Sequence, residues 1–200
     1  MRCFELRLTV AEARVDERPE PQEPPVRLVA RLARLKATAP IDAPPAQWRL
    51  AADTIVDDAG EVLGKPVDAE EARRMLRRLR GRMHLVHTAV ALYRPADERL
   101  FLRRVTTQVW MRRYPEAALE AYIAAGEPFD KAGGYAIQDS DFAPVERIEG
   151  CYANVVGLPL CAVAALLHEA GLLHRTPDLP ACCRRHFGWQ CPRREEGVRL

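Results

Sequence analysis

Alternating strand-like and helix-like segments, separated by prolines and glycines, most constrain what this chain can fold into. Apolar runs and alternation with polar residues predict strands, and apolar residues at helical spacing predict helices. The predicted strands cover residues 4–10, 48–56, 83–93, 100–110 and 145–148, and the predicted helices run over 26–37, from Asp68 to Gly81, from Pro115 to Gly126, and over 160–170. This order of elements indicates an α/β fold.

The helix predicted from Asp68 to Gly81 has sequence signals for its start, its buried face and its end. Asp68 followed by Glu71 is a capping-box pattern, which marks the first turn of a helix. The buried stripe predicted for this helix consists of Ala72, Met75, Leu76 and Leu79. Gly81 is expected to end it, because glycine readily adopts the left-handed conformation that follows a helix.

The composition limits the classes of function. The chain has 200 residues, of which 48% are hydrophobic and 29% charged, as in a globular protein of one domain or two packed lobes. A net charge of +2 is far from the basic excess of a dedicated DNA-binding domain, so we expect no nucleic-acid partner. The sequence also lacks a long apolar run and the apolar core of a signal peptide, which predicts a cytoplasmic protein without a membrane partner.

The six cysteines are unevenly distributed. Their spacing is not that of a disulfide framework, and without a secretion signal we expect reduced thiols. A zinc site is disfavoured because the tail lacks paired C-x-x-C spacing and adjacent cysteines rarely bind one ion. The residues considered for that site are Cys182, Cys183, His186 and Cys191. We predict a domain over residues 1–171 and an irregular Cys/Arg-rich tail over 172–200.

Charged residues near the predicted strands are candidates for chemistry. Asp53 lies inside an apolar run, where a carboxylate is costly unless it is paired, hydrogen-bonded or bound to metal. An ion pair with an arginine is an equally good interpretation of that residue. For the pair Asp16-Glu17 and for Lys65, an exposed turn is the simpler interpretation of each taken alone.

The Gly64-Lys65-Pro66 sequence is not a phosphate-binding P-loop. Only three residues separate Gly60 from Gly64, and a proline follows the lysine where a P-loop needs a hydroxyl. The lysine must therefore be explained by another kind of site.

Taken together, the motifs strongly resemble the Maf family of nucleoside triphosphate pyrophosphatases, in the family's order, over residues 4 to about 171. The matching motifs are Asp16-Glu17, Lys36, Ala52-Asp53-Thr54, Gly64-Lys65-Pro66, the helix DAEEARRMLRRLRGR, His84-x-Val86-x-Thr88, Tyr122-Ile-Ala-Ala-Gly-Glu-Pro128, Asp130-Lys-Ala-Gly133, Tyr135-Ala-Ile-Gln138, Glu149-Gly150 and Asn154-Val-Val-Gly-Leu-Pro159. The resemblance implies a Maf/inosine-triphosphatase-like fold, with a mixed twisted sheet, flanking helices and two lobes around a central cleft. A homodimer remains an open alternative to a monomer.

The resemblance also implies an activity and a set of site residues. Members hydrolyse a nucleoside triphosphate between the α and β phosphates with a divalent metal, Mg²⁺ or Mn²⁺. Asp53 would activate water or bind the metal, Glu17 would help to hold the metal, and Lys36 and Lys65 would neutralise the triphosphate, as phosphoryl transfer requires. The residues expected to bind substrate are Lys36, Thr54, Lys131 and Gln138.

The expected substrate is a pyrimidine nucleotide. The segment from Lys131 to Gln138 resembles the family branch that acts on dTTP, UTP and related or modified nucleotides, rather than the branch that prefers a methylated guanosine triphosphate. An amide such as Gln138 can donate and accept together, as the edge of uracil or thymine demands. A purely structural hydrogen bond from Gln138 to the backbone is the alternative.

One family motif does not occur in these 200 residues. Members usually carry a Ser-x-Ser-Pro-Arg-Arg loop that opens a helix and cradles phosphate, and this sequence starts after that point. We therefore expect residues 1–200 alone to bind triphosphate weakly. A catalytically impaired Maf-like protein that binds nucleotides or partners is the alternative function.

Overall fold

A computed structural model describes residues 2–4, 6–175, 177–188 and 191. Within these residues the chain forms a five-stranded sheet in the order β2-β1-β3-β4-β5. The strands are β1 (Arg49–Asp58), β2 (Glu61–Leu63), β3 (Met83–Arg94), β4 (Arg99–Met111) and β5 (Val145–Glu149). The α-helices are α1 (Pro25–Thr38), α2 (Ala69–Leu79), α3 (Glu116–Ala124), α4 (Tyr152–Val156), α5 (Leu160–Glu169) and α6 (Leu179–Phe187). The predicted α/β class is confirmed.

The sheet differs from the prediction in one respect. A mixed sheet was expected, but all four strand pairings among the described residues are antiparallel. Two of these pairings follow from short connections: Ala59-Gly60 joins β1 to β2, and residues 95–98 join β3 to β4, and such tight turns link only antiparallel strands. Both turn residues Ala59 and Gly60 have positive φ, which suits a two-residue hairpin turn. The division into two lobes stays a prediction.

The two faces of the central strand β3 pack against different helices. Val86, Val90 and Leu92 point to one face, where they join two buried clusters that contain α2, α3 and α5. Ala89 and Ala91 point to the other face and pack against α1. Side chains alternate between faces along a strand, and the small alanines let α1 approach the sheet closely. The site described below lies where α1 meets the sheet.

Helix α2 forms as its local sequence predicted. The Asp68 carboxylate accepts a hydrogen bond from the Glu71 backbone N–H at 2.7 Å, and the Glu71 carboxylate accepts one from the Val67 N–H at 2.7 Å. The four residues of the predicted stripe are the buried ones. Gly81 has a φ of +67° immediately after the helix. These contacts satisfy N–H groups that the first turn of a helix leaves without partners.

The predicted strand over residues 4–10 does not form. Arg2–Phe4 is a short 3-10 helix, and residues 6–10 have no regular structure. A strand is stable only when a neighbouring strand pairs with its backbone. Within the described ranges no strand pairs with this segment, so its alternating pattern alone was insufficient.

The tail also differs from its prediction. It was expected to be irregular over 172–200, yet Leu179–Phe187 forms α6. The Asp178 carboxylate accepts a hydrogen bond from the Ala181 N–H at 2.9 Å, and Gly188, with a φ of +64°, ends the helix. Apolar side chains of α6 are buried in the cluster formed with α5. Residues 189–190 and 192–200 lie outside the described residues, and the domain boundary at 171 stays a prediction.

The expectation of unlinked, reduced cysteines is corrected as well. The structure joins Cys3 to Cys182 as a disulfide across 179 positions of sequence. Folding places the 3-10 helix at Arg2–Phe4 against α6, which sequence spacing does not reveal. None of the described helices is both long and apolar enough to cross a bilayer.

Candidate active site

A cleft of about 830 Å³ lies along one edge of β1. Strand β2 pairs only with the last three residues of β1, whereas β3 pairs with β1 from Arg49 to Asp57. The earlier part of β1 therefore has, within the part of the chain described, no strand on its outer side. Side chains from both faces of β1 reach the cleft at this open edge, together with residues of α1 and of the segment 130–138.

The structure brings all the sequence-predicted site residues into this one cleft. They are Glu17, Lys36, Asp53, Thr54, Lys65, Lys131 and Gln138. The other member of the acidic pair, Asp16, is held elsewhere: its carboxylate accepts hydrogen bonds from Arg18 at 2.6–3.1 Å. The arginine hydrogen bonds hold the pKa of the exposed Asp16 well below its usual range.

The cleft also gathers every lysine of the chain. The sequence contains three lysines, Lys36, Lys65 and Lys131, and all of them line the cleft. Among the residues that the structure describes, no arginine lines it. Lysine and arginine are not interchangeable, since the ammonium is a compact, mobile point charge and the guanidinium a rigid planar fork. The cleft thus holds the three lysines beside three acidic residues, Glu17, Asp53 and Asp130.

Asp53 and Glu17 converge on Lys36. The Lys36 Nζ donates to Asp53 Oδ1 at 2.5 Å and lies 2.8 Å from Glu17 Oε1. Asp53 points to the face of β1 that α1 covers, and Lys36 lies in the last turn of α1. The buried carboxylate is therefore paired with a lysine rather than with the arginine that sequence reasoning had left open.

The surroundings shift the pKa values of this pair. Burial raises the pKa of Asp53, and the hydrogen bond from Lys36 opposes that rise only in part. Burial by itself would lower the pKa of Lys36, but its hydrogen bonds to Asp53 and Glu17 prevail and raise it. Lys36 thus stays charged, and Asp53 is a stronger proton acceptor than an ordinary aspartate.

A backbone hydrogen bond joins the loops that carry the other two lysines. The Gly133 N–H donates to the Gly64 carbonyl at 2.9 Å. Gly133 has a φ of +71°, and a Cβ atom there would lie 3.0 Å from a methyl group of Val56. Glycine is needed for both reasons. Lys65 directly follows Gly64 and Lys131 lies two residues before Gly133, so this contact ties together the two loops that carry these lysines.

The segment that ends at Gln138 rests on buried aromatic residues. Tyr135 is buried, and its hydroxyl lies 2.7 Å from His84 Nε2. The Tyr122 hydroxyl accepts a hydrogen bond from the Ala136 N–H at 3.1 Å. Gln138 itself is exposed to solvent where it lines the cleft. Its side chain is therefore available to a ligand, while the backbone before it is anchored.

Thr54 depends on two residues to which the sequence analysis gave no role. Its hydroxyl lies 2.8 Å from that of Thr88, which donates to the Asn154 carbonyl at 2.8 Å. The Asn154 amide in turn donates to the Val86 carbonyl at 2.9 Å. Thr88 and Asn154 both occurred within the motifs quoted above, and that was the only signal for them.

The carboxylates of the cleft have the chemistry that suits a hard divalent cation. Oxygens of Glu17 and Asp53 meet at one positive charge, the Lys36 ammonium. Magnesium prefers oxygen ligands and commonly takes one or two carboxylates together with substrate phosphates. The residues therefore fit such an ion, with Glu17 and Asp53 as the donors.

Comparison with known proteins agrees with this geometry. The family described as Maf-like protein matches residues 1–170. The chain belongs to the Maf family. The match includes every predicted site residue, from Glu17 to Gln138, and it confirms the relationship that the motifs indicated.

Curated members of the Maf family resemble this chain over most of its length. A dTTP/UTP pyrophosphatase of Thermomicrobium roseum is 51% identical over 187 residues, which cover 92% of this chain and 83% of that protein. A dTTP/UTP pyrophosphatase of Myxococcus xanthus is 47% identical over 169 residues, covering 84% and 85%. One from Geobacter sulfurreducens is 45% identical over 164 residues, covering 82% and 86%.

Proposed function

We propose that this protein hydrolyses UTP, dTTP and related pyrimidine nucleoside triphosphates to the monophosphate and pyrophosphate. The observation that carries the proposal is the convergence of all three lysines with the carboxylates of Glu17 and Asp53 in one cleft. The names of the similar Maf proteins support the same substrates. A triphosphate combines the negative charge that the lysines require with the phosphoryl centre on which the carboxylates would act.

Electrostatic stabilisation is the main task of the lysines. Lys65 and Lys131 lie on the loops joined through Gly64 and Gly133, so both can contact one phosphate chain. Fixed positive charges stabilise the charge that develops on transferring phosphoryl and leaving groups. Lys131 now donates to the Asp130 carboxylate at 2.6 Å and to the Glu127 carbonyl at 2.7 Å, and it would exchange these partners for phosphate oxygens.

Asp53 is placed to accept the proton of the attacking water. Burial raises its pKa, and the Lys36 ammonium holds its carboxylate in one orientation. A positioned proton acceptor of raised pKa is suited to general base catalysis. Water then adds to the α-phosphorus, and pyrophosphate leaves with the electron pair of the broken P–O bond.

A divalent cation, Mg²⁺ or Mn²⁺, is part of the proposal. Glu17 would hold it, joined by Asp53 only if the metal rather than Asp53 activates the water, and it would supply further positive charge to the phosphates. Lys36, which now contacts both carboxylates, would remain beside them as a fixed charge.

Gln138 would select the base. Its exposed amide lies in the cleft on an anchored segment and can donate to and accept from the edge of uracil or thymine. A purine would leave such groups unpaired, which can reduce reaction rates by large factors.

The test is a comparison of kcat/KM for pyrophosphate release from UTP, dTTP, ATP and a methylated guanosine triphosphate, with Mg²⁺ or Mn²⁺. We expect UTP or dTTP to exceed ATP clearly. Equal values for all four nucleotides would refute the selectivity, and preference for the methylated guanosine nucleotide would assign the protein to the other Maf branch. UTP binding without pyrophosphate release would favour the alternative of an impaired, nucleotide-binding protein.

A further inference from the structure

A second cluster of reactive side chains lies around α6, apart from the cleft. The sulphur atoms of Cys3 and Cys182 and a ring nitrogen of His186 all lie within 4.8 Å of one another. None of the three lines the cleft at β1. Cys182 is buried, Cys3 is half-buried and His186 is exposed. The cluster therefore has one side open to solvent.

The geometry of α6 explains why Cys182 and His186 meet. They are four residues apart on one helix, and residues at this spacing lie on the same face. Cys3 completes the group from the 3-10 helix at Arg2–Phe4, whose Phe4 is buried in the same apolar cluster as Leu179 of α6. Three ligand atoms are thus brought together by one helix face and one packing contact.

The neighbouring Cys183 does not belong to this group. Consecutive residues on a helix point in directions about 100° apart, and the Cys183 sulphur is not among the three grouped ligand atoms. The zinc site considered from the sequence used both adjacent cysteines, whereas the structure separates them and brings in Cys3.

The three side chains have the donor atoms that zinc prefers. Zinc binds thiolate sulphur at about 2.3 Å and imidazole nitrogen at about 2.0–2.1 Å in a tetrahedron, which places ligand atoms roughly 3.5–4 Å apart. The three ligand atoms lie within 4.8 Å of one another, and reduction of the Cys3–Cys182 bond would let the two sulphurs separate to this range. Three protein ligands leave the fourth position for water, and the absence of carboxylates among them disfavours magnesium.

The same two cysteines are joined as a disulfide in the structure. A dithiol reductant breaks this bond by giving two electrons and two protons, and it becomes a cyclic disulfide itself. The reduced pair then loses two thiol protons when a divalent ion binds. The cluster can therefore exist either as a disulfide or as a metal site, depending on the redox conditions.

We propose that the reduced Cys3 and Cys182, together with His186, bind one zinc ion that fastens the segment around Phe4 to α6. The ion and the disulfide are alternative cross-links between the same two parts of the fold. This proposal concerns residues outside the cleft and does not rest on the pyrophosphatase activity.

The experiment measures zinc bound to the full chain after reduction with a dithiol under anaerobic conditions. The reduced protein is exposed to zinc, excess metal is removed, and zinc is quantified by mass spectrometry and by competition with a chromophoric chelator. We expect one zinc per chain and at least about tenfold weaker binding in His186→Ala, because one of three ligands is lost. Cys182→Ser should weaken binding further. Cys183→Ser is the matched control and should bind like the parent.

Cobalt provides a second readout that does not depend on stability. Cobalt bound to the parent should show thiolate-to-metal charge-transfer absorption, and Cys182→Ser should reduce it. Because His186 is exposed, His186→Ala should fold, and formation of the Cys3–Cys182 disulfide after oxidation would confirm that the cysteines are still in place. Thiol titration verifies that the Cys3–Cys182 bond is reduced before zinc is added. The proposal is overturned if the parent reduced in this way retains no zinc, or if His186→Ala binds as tightly as the parent.

Discussion

At the residue scale, the position of Asp53 combines three features that a single aspartate seldom has. Its side chain is 8% exposed, it contacts one lysine directly, and a second lysine, Lys65, acts on it through its charge. Removing one partner of such a buried pair leaves the other charge uncompensated. Substitutions here should therefore keep the shape of the side chain and change only its ability to accept a proton.

We expect Asp53→Asn to lower the turnover number for UTP by about 10²–10⁴-fold, the usual contribution of a positioned general base. The nearly isosteric amide should leave the fold intact, as urea unfolding can verify. Asp97→Asn, in the exposed turn between β3 and β4, is the matched control and should retain the parent's turnover. Turnover of Asp53→Asn within a few-fold of the parent, at saturating metal, would remove Asp53 from the mechanism.

His84 should make stability depend on pH. Burial lowers its pKa from 6.5 to about 4, so the folded chain keeps it neutral where the unfolded chain takes up a proton. The contribution of the neutral His84 to the free energy of unfolding is fully present above pH 6.5. It is lost as the pH falls toward 4, by about 1.4 kcal/mol per pH unit within that window. Urea unfolding at several pH values should therefore show a shallower pH dependence for His84→Gln. The control His168→Gln changes an exposed histidine and should follow the parent; an unchanged slope in His84→Gln would contradict the assignment.

At the element scale, one hydrogen-bonded chain links β1, β3 and α4. Thr88 on β3 is fully buried and connects Thr54 on β1 to the carbonyl of Asn154 on α4. Gly157, directly after α4, lies close to the same threonine: a Cβ there would be 3.3 Å from Thr54 Oγ1. These contacts set the position of Thr54 at the cleft without touching a ligand themselves.

Thr88→Val should destabilise the protein by about 1–3 kcal/mol, because it leaves the half-buried Thr54 hydroxyl and the buried Asn154 carbonyl without this partner. The valine has nearly the same shape, so packing changes little. The free energy of unfolding in urea measures the effect. Thr9→Val, an exposed threonine outside the helices and strands, is the control and should change stability by less than about 0.5 kcal/mol. A similarly small change for Thr88→Val would show that the chain of hydrogen bonds is dispensable.

At the scale of the whole molecule, the lysines and the arginines of α2 lie in different regions. Three of the four arginines of α2 pair with acidic residues of α3 and β1, as Arg73 does with Glu120 and Arg78 with Asp58. The lysines lie in the cleft. Chemical modification can therefore distinguish the cleft from the rest of the surface without any substitution.

Mild acetylation with an amine-specific reagent should abolish pyrophosphate release, because the side chains it modifies all lie in the cleft. UTP with Mg²⁺ should protect the activity, whereas adenosine, which lacks phosphates, should not. Peptide mass spectrometry separates modification of Lys36, Lys65 and Lys131 from that of the terminal amine. Full activity in a protein acetylated at all three lysines would exclude their proposed role.

Elements whose signals are local could be predicted from the sequence. The cap at Asp68 and the stripe of α2 lie within one stretch of chain, so short-range hydrogen bonding and periodicity were enough to place that helix. The hairpin of β3 and β4 was likewise predictable from two runs and their turn. Motif resemblance then supplied the family and the site residues, which periodicity alone does not provide.

Contacts between residues far apart in sequence depend on the tertiary structure and could not be predicted from local patterns. The segment 6–10 alternates like a strand, but it lacks a pairing partner among the described strands, and hydrogen bonding to a neighbour is what makes a strand. The partner of Asp53 became Lys36 because α1 packs on the alanine face of β3 and so brings its last turn over β1. Cys3 lies beside Cys182 for a similar reason. Phe4 and α6 pack in the same apolar cluster, and the spacing of the cysteines in the sequence does not predict that contact. Each of these contacts depends on the docking of whole elements, and the energy of docking is distributed over many side chains far apart in sequence.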